Sequence, residues 1–583
     1  MTKLISNLNQ LEASELTRRL REEDLTYLFK HALVQDTAYA SLLLQERKRL
    51  HRLVGEALER VYPEQRAELA PVLARHFAEA GNDAKTLEYA ELSGDTARRI
   101  NARAEALTCY TRALNLALKT HAPGAQLQEL YLKRGRVMEV MGDFQAALEN
   151  YDALLAQSAA RADSALELAA LMAQATIRSI PSAAHDIARA QALNDRALEL
   201  ARALDDKAAQ AKILWNLMLM HSRVGISFQR AFQYGKEALE IAQENNLRER
   251  LAYVLNDLSP MYYYAGESEL GKQANLQARA MWRALDNMPM LSGNYGYAAM
   301  NQLFAGEYAE AVVASQEGVK LSREIGNEWN EAFAQAWVGE AYVELGEIET
   351  AERVMLAAIE LGGRAFPPAL LMTRSQLARL ASDFGDATRG VELSELALEE
   401  ARLRFPSMHL VAASAFAQAV MAQGELERAR RILADTPRAL EMDTNPMYVA
   451  DALRSQVELE LAEENFADAL ALCEQLRAYA ERSTLRHRLP QVMLAQARAL
   501  IGLERLAEAA RILTQARALA TELNARWGLW QILATSARLE TTRGNLENAQ
   551  AFRAQARVLI DYIAARAPEK YRAEFLERAQ GQL

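Results

Sequence analysis

The 583-residue sequence predicts an all-α fold, a right-handed superhelical solenoid of helix pairs that repeats about every 40 residues. Three observations carry this. Ala, Leu, Glu and Arg dominate, all good helix formers, while Gly and Pro are scarce. Gly-acid or Gly-Asn dipeptides, which mark turns, recur at a fixed interval. A small residue follows most of those turns by about five positions.

The interval defines the repeat. Gly266, Gly306, Gly346, Gly385 and Gly424 follow one another at 40, 40, 39 and 39 residues. Gly544 lies 120 residues beyond Gly424, and Asn465-Phe466 and Gly502 fall near the two missing turns. Upstream, Gly225 and Gly142 continue the series, and Leu132–Leu155 is the clearest single unit. Ala147, Ala231, Ala311, Ala351, Gly390, Ala429, Ala469 and Ala549 are the small residues of the second helix, where a larger side chain would force the helices apart. Ala238, Ala358 and Ala397 follow seven later, two helical turns on and therefore on the same face. HEAT repeats share this length, but the Gly/Ala grammar favours a tetratricopeptide-like pair. The usual tetratricopeptide unit has about 34 residues. The longer period here predicts longer helices or loops and a broader concave groove. The unit at 161–205 is the least regular, with Pro181 at its expected turn.

The first ninety residues follow a different pattern. They carry Tyr27-Leu28-Phe29-Lys30-His31-Ala32-Leu33-Val34-Gln35-Asp36-Thr37-Ala38-Tyr39, then Arg47-Lys48-Arg49-Leu50-His51-Arg52, Leu73-Ala74-Arg75-His76-Phe77 and Tyr89. This block resembles a segment of the bacterial STAND-type signal-transduction ATPases, including those linked to adenylate or guanylate cyclases. The closing Pro568-Glu569-Lys570-Tyr571-Arg572-Ala573-Glu574-Phe575-Leu576 resembles the end of such chains. The resemblance implies a helical junction over 1–86, after a winged-helix region, then a repeat array of about 12 units over 87–562 and a capping segment over 563–583. It also implies that the array receives a signal and relieves inhibition of the ATPase. No phosphate-binding loop and no metal-binding cyclase aspartates are found, so neither activity carries over. The expectation is the sensor half of such a protein.

Composition excludes other classes. The net charge of −10, with 67 basic and 77 acidic residues well mixed, argues against general nucleic-acid binding, which needs a basic face. No apolar run is long enough to span a membrane and no signal-peptide pattern opens the chain, so a cytoplasmic location is expected. Cys109 and Cys473 read as separate reduced thiols in apolar helical patterns. Gly266-Glu267-Ser268-Glu269-Leu270-Gly271-Lys272-Gln273 mimics a phosphate loop, but Gln273 stands where Ser or Thr must hold magnesium. None of the eight histidines pairs with another His or Cys at metal-ligand spacing. Neither catalytic residues, nor a metal, nor a cofactor is therefore expected. The basic run Arg47–Arg52 could face DNA or an acidic partner, with a solvated helix face as the plainer alternative. A transcriptional regulator contacting DNA through the N-terminal region is the second reading.

The candidate site rests on a concentration of aromatics in the central third: Trp215, Tyr253, Tyr262-Tyr263-Tyr264, Trp282, Tyr295, Tyr297, Trp329 and Trp337. The first helix of each pair lines the concave face. Aligned on the turn glycine, that face carries Trp215, Leu219 and Arg223, then Tyr253, Asn256 and Tyr263, then Tyr297 and Met300. Asn would bond a peptide backbone, Arg a carboxylate, and the rings apolar side chains. A protein, a peptide or a small inducer is the expected partner. The alternative is that the rings fill helix–helix contacts.

Overall fold

The computed structural model describes residues 2–19, 27–179, 184–224, 227–434 and 443–583. Gly225 and Pro181 lie outside the described residues. The chain divides into two compact units, Met1–Asp205 and Asp206–Leu583.

The first unit opens with α1 (Thr2–Ala13), β1 (Thr17–Arg19) and β2 (Tyr27–Phe29). The two strands pair antiparallel, Thr17 opposite Phe29, and are the one departure from helix among the described residues. There follow α2 (Ala32–Ser41), α3 (Leu44–Val61), α4 (Arg66–Glu79), α5 (Asp83–Arg99), α6 (Arg103–Lys119), α7 (Gly124–Val140), α8 (Phe144–Arg161), α9 (Ser164–Ser179) and α10 (Ile187–Ala203). A boundary at 86 would cut α5, whose Tyr89 stacks on Phe77 of α4 at 5.7 Å. Helix packing runs unbroken from α3 to α10, up to the division of the two compact units after Asp205.

Among the described residues the second unit is nine helix pairs and a final helix. The pairs are α11 (Lys207–Val224) with α12 (Phe228–Glu244), α13 (Arg248–Tyr264) with α14 (Ser268–Ala284), and α15 (Met288–Ala305) with α16 (Tyr308–Glu324). Next come α17 (Glu328–Glu344) with α18 (Ile348–Arg364), α19 (Pro367–Asp383) with α20 (Ala387–Arg404), and α21 (His409–Ala422) with α22 (Leu426–Ala434). The last are α23 (Pro446–Ala462) with α24 (Phe466–Arg482), α25 (Leu489–Gly502) with α26 (Leu506–Glu522), α27 (Arg526–Thr542) with α28 (Leu546–Ala565), and α29 (Glu569–Gln582).

Each pair from α13 to α28 turns through one residue in the left-handed conformation. Gly266, Gly306, Gly346, Gly385, Gly424 and Gly544 all have φ between 78° and 95°. The two missing turns are made by Glu464 (φ 62°) and Glu504 (φ 59°), so the interval from 424 to 544 is three steps of 40. Gly502 is not a turn. It ends α25, where a Cβ would stand 2.4 Å from the Phe466 ring. At each turn two backbone hydrogen bonds close the helix, as in Glu504 N to Ile501 O (2.9 Å) and Arg505 N to Leu500 O (2.8 Å). The small residues behind the turns, from Ala147 to Ala549, are all buried.

The odd-numbered helices from α11 to α27 pack successively on one another and form the inner layer. They are apolar on nearly all sides and therefore buried on nearly all sides. In α21, ten of fourteen residues are enclosed. The even-numbered helices cover them and keep one charged face outward.

The solenoid stacks on itself. Asp443, just before α23, caps α12: its carboxylate accepts from Gln229 N at 3.0 Å and from the Ser227 hydroxyl. Gly266 packs on the Arg482 carbonyl, Gly306 on Leu523 and Gly346 on Tyr562 and Ile563. The Arg566 carbonyl accepts from Glu349 N at 2.8 Å, at the start of α18. Ser227 and Asp443 are 216 residues apart, and Glu347 and Tyr562 are 215 apart. Successive superhelical turns thus meet after about five and a half repeats. The broad groove expected from the longer period does not form, because Ala-rich inner helices let opposite walls approach and the turns dock directly.

The turn geometry yields a prediction. A non-glycine residue held left-handed carries strain of about 1 kcal/mol. Glu504→Gly should therefore stabilise the second unit by about that amount, and Gly544→Ala, with no neighbour near its Cβ, should destabilise it similarly. Urea unfolding of both variants measures this.

Candidate functional site

Inner helices α17, α19, α21, α23, α25 and α27 surround a cavity of about 520 Å³, and α29 adds Phe575, Arg578 and Ala579 to its wall. This volume falls in the range of ligand pockets. The wall carries many polar groups among its apolar ones: Glu340 and Glu344 from α17, Arg379 and Asp383 from α19, Gln418 from α21, Arg454 and Glu458 from α23, Gln491 and Arg498 from α25. Trp527 and Trp530 of α27 form an aromatic side with Phe575, with ring centroids 5.9 Å apart.

A buried ion network holds one end together. Arg488, in a 3₁₀ turn before α25, is 4% exposed. It donates to Glu340 of α17 and lies 3.0 Å from Asp451 Oδ1 of α23. Arg379 donates to the other Asp451 oxygen at 3.0 Å. Burial disfavours the Asp451 carboxylate, but Arg379, Arg488 and Arg454 outweigh it and hold the group far below the usual range. The same balance, with Arg488 dominant among the charges, keeps Glu340 ionised.

Other groups are less compensated. Glu344 accepts from Gln491 Nε2 at 2.7 Å and from Gly528 N at 3.4 Å. Burial, and then the neighbouring Glu340, push its carboxyl up to about 7. Asp383 keeps solvent contact, yet the protein mass around it pushes its carboxyl up to about 6 against the pull of Arg454 and Arg578. Arg454 donates only to amide oxygens, Gln491 at 3.0 Å and Gln418 at 3.1 Å. Burial, with Arg379 and Arg488 nearby, brings it down to about 10.

The residues selected from sequence lie elsewhere. Asn256, Tyr263 and Met300 are 2%, 3% and 4% exposed, enclosed between helices. Asn256 accepts from Asn294 Nδ2 at 3.0 Å and donates to Asp257. Tyr263 lies over Gly271, where a Cβ would meet its ring at 2.6 Å. Trp215, Leu219, Tyr253 and Tyr297 are half-buried. Trp215 donates to Asp257 at 2.8 Å and packs on Tyr253, which packs on Trp282 at 4.8 Å. Tyr297 packs on Phe333 at 5.0 Å. These rings chain successive inner helices together. The side chain of Arg223 is outside the described residues.

One sequence signal does mark the cavity. Glu340, Arg379, Gln418, Glu458 and Arg498 each stand six residues before their turn residue, at 346, 385, 424, 464 and 504. Polar side chains at one register position of otherwise apolar helices point to a polar lumen.

Other motifs resolve plainly. The loop-like 266–273 segment is a repeat turn covered by the Arg482 backbone, with Lys272 paired to Glu307. In the basic run, Arg49 pairs with Glu46 and Arg52 with Glu56, while Arg47 lies over Tyr39. Both cysteines are free, and burial pushes the Cys473 thiol up to about 12. His51 and His76, distant in sequence, meet at 2.9 Å, a pairing that spacing alone could not show. Among the described residues no His/Cys/Asp/Glu group could hold a metal, and no helix is long and apolar enough to cross a membrane.

Fold and cavity together define a helical-repeat scaffold of the tetratricopeptide class. The chain belongs to the family described as MalT-like TPR region, whose profile matches residues 223–525. Among solved structures it is similar to the APC/C hetero-tetramer Cut9-Hcn1 at 15% identity, covering 94% of this chain and 99% of that one, with a TM-score of 0.48. It is also similar to yeast Tom70 at 12% identity, covering 86% and 96%, with a TM-score of 0.31. No protein of curated function matches.

Two predictions follow from the electrostatics. Removing Arg488 leaves Glu340 and Asp451 buried without their partner, so Arg488→Met should cost about 3–5 kcal/mol in chemical denaturation. Glu344 binds its proton more tightly folded (about 7) than its ordinary 4.5. Stability is therefore lost as pH rises from 4.5 to 7. Glu344→Gln should gain on the parent across that window, by up to about 3 kcal/mol, and stay level above it.

Proposed function

We propose that this chain is a non-catalytic binding solenoid, the sensor or scaffold part of a signalling system. It takes a small inducer or the end of a peptide into the axial cavity. The observation that supports the reading is the half-open, charge-lined cavity on the inner layer, most of whose wall lies within the family-matched residues. Exposed Leu33, Leu43, Leu44, Val61 and Tyr62 of the junction support a further contact with a protein partner there.

Ala462, exposed on the cavity wall, allows a test by obstruction. A thermal-shift screen of metabolites and short peptides, followed by calorimetry, identifies ligands. Ala462→Trp should weaken them by about tenfold or more, the loss of a fitted contact. Val313→Trp, on the outer surface of α16, should not. Undiminished binding by a folded Ala462→Trp protein removes the cavity as the site. Asn256→Ala and Tyr263→Ala should lower stability by about 1–4 kcal/mol and leave affinity unchanged, because both side chains serve packing.

A further inference from the structure

We propose that the axial cavity selects a small oxyanion, a carboxylate or phosphate ester, bound between Arg454 and Arg578 with its body against Trp527 and Trp530. This rests on the cavity being a ligand site, as argued above.

The case begins with pairing. Arg379 and Arg498 each have a carboxylate, Asp451 and Glu458, at 3.0 Å. Arg454 and Arg578 have none within ion-pair distance. Arg454 meets two amide oxygens, and Arg578 meets the Ser382 carbonyl at 3.0 Å. A guanidinium has five donors in a planar fork, matched by the two oxygens of a carboxylate or phosphate. Both arginines line the same cavity, with Asp383 facing them from α19 and making no hydrogen bond.

A second observation concerns unmatched polar atoms. On the cavity wall the buried atoms without a partner are Arg379 Nε, Arg454 Nε, Trp530 Nε1 and Gln376 Oε1. Three are donors and one is an acceptor. A donor-rich wall suits a ligand that supplies acceptors and no positive charge. Trp530 is 3% exposed, so its N–H has no outside solvent to turn to.

The acids tune this without opposing it. Asp383 is faced by Arg379 on its own helix, by Arg454 and Glu458 on α23, and by Arg578 on α29. Glu344 is faced by Glu340, Arg488, Gln491 and the Gly528 N–H. Burial raises the Glu344 carboxyl to about 7, so an arriving anion is met there by proton uptake rather than by a fixed negative charge. Anion binding should accordingly tighten as pH falls from 8 to 6, by at most about tenfold per unit for each proton taken up.

Calorimetry on the full chain tests this with four probes that share a phenyl ring: hydrocinnamate, phenyl phosphate, 3-phenylpropan-1-ol and 3-phenylpropylamine. The expected result is binding of one or both anions, tighter at pH 6 than at pH 8. The affinity should fall about tenfold or more in Arg454→Gln and in Arg578→Gln. Hydrocinnamate alone would assign a carboxylate, phenyl phosphate alone a phosphate. Arg578, at the surface end of the wall, guards against a folding defect in the Arg454 variant. Preference for the alcohol or the amine, or anion binding indifferent to both arginines, overturns the oxyanion assignment and leaves the cavity reading standing. No binding by any probe also overturns it, while the obstruction test with Ala462→Trp judges the cavity reading separately.

Discussion

The second unit depends on one buried contact set, Arg488 with Glu340 and Asp451. In a simple repeat array each unit touches only its neighbours, and curvature drifts with every interface. Arg488 instead ties α25 and α23 to α17, across 148 residues of sequence. Together with the turn-on-turn docking at Gly266, Gly306 and Gly346, it converts an open spiral into a closed stack. Desolvating three charges is costly, so this network holds only because each partner is present. The ring of inner helices therefore has one curvature rather than many, and the cavity has one shape.

Much of the fold was written in the turns. A left-handed residue every 39 or 40 positions is easiest as glycine, and six of the eight turns from α13 to α28 use it. Glu464 and Glu504 escaped notice because they reach the same backbone geometry with an ordinary side chain. Gly502 lies two residues before its turn, and its own constraint, the Phe466 ring against its Cα, comes from the neighbouring pair. The small residues behind the turns were readable for the opposite reason: their constraint lies within one pair, a fixed distance along the chain. The short sheet of β1 and β2 was missed, since three-residue strands carry no periodic signal.

The site was hidden by the same logic. Charged residues on helices ordinarily mean solvent, and Glu340, Arg379, Arg454 and Arg498 look like any others until register is applied. Aromatic residues stand out instead, yet Trp215 and Tyr253 fill a seam between inner helices and Trp282 of α14 packs on Tyr253, as large rings do where helices meet. What sequence could not supply was the offset of about 216 residues that brings Ser227 to Asp443 and Glu352 to Lys570, or the shorter one of 148 that brings Glu340 to Arg488. That offset depends on curvature, which sums many small interface angles, none encoded at one position.

A polar lumen also follows from closure itself. An apolar void of this size would lose dispersion contacts along its whole lining and would favour collapse of the Ala-rich walls onto each other. Ionised side chains resist that collapse because they must keep water or partners. Their charges must then nearly cancel, and the wall does balance four acids against four arginines. The balance is uneven in space: Arg488 and Arg498 have carboxylates at ion-pair distance, while Arg454 and Arg578 hydrogen-bond only amide and carbonyl oxygens, with Asp383 facing them without an ion pair. A cavity held open by charge is thus selective by charge. Because Arg454 and Arg578 stand on α23 and α29, a ligand joining them also fastens the C-terminal helix to the inner ring. Occupancy and the stability of that closure are therefore coupled, each favouring the other by the same free energy.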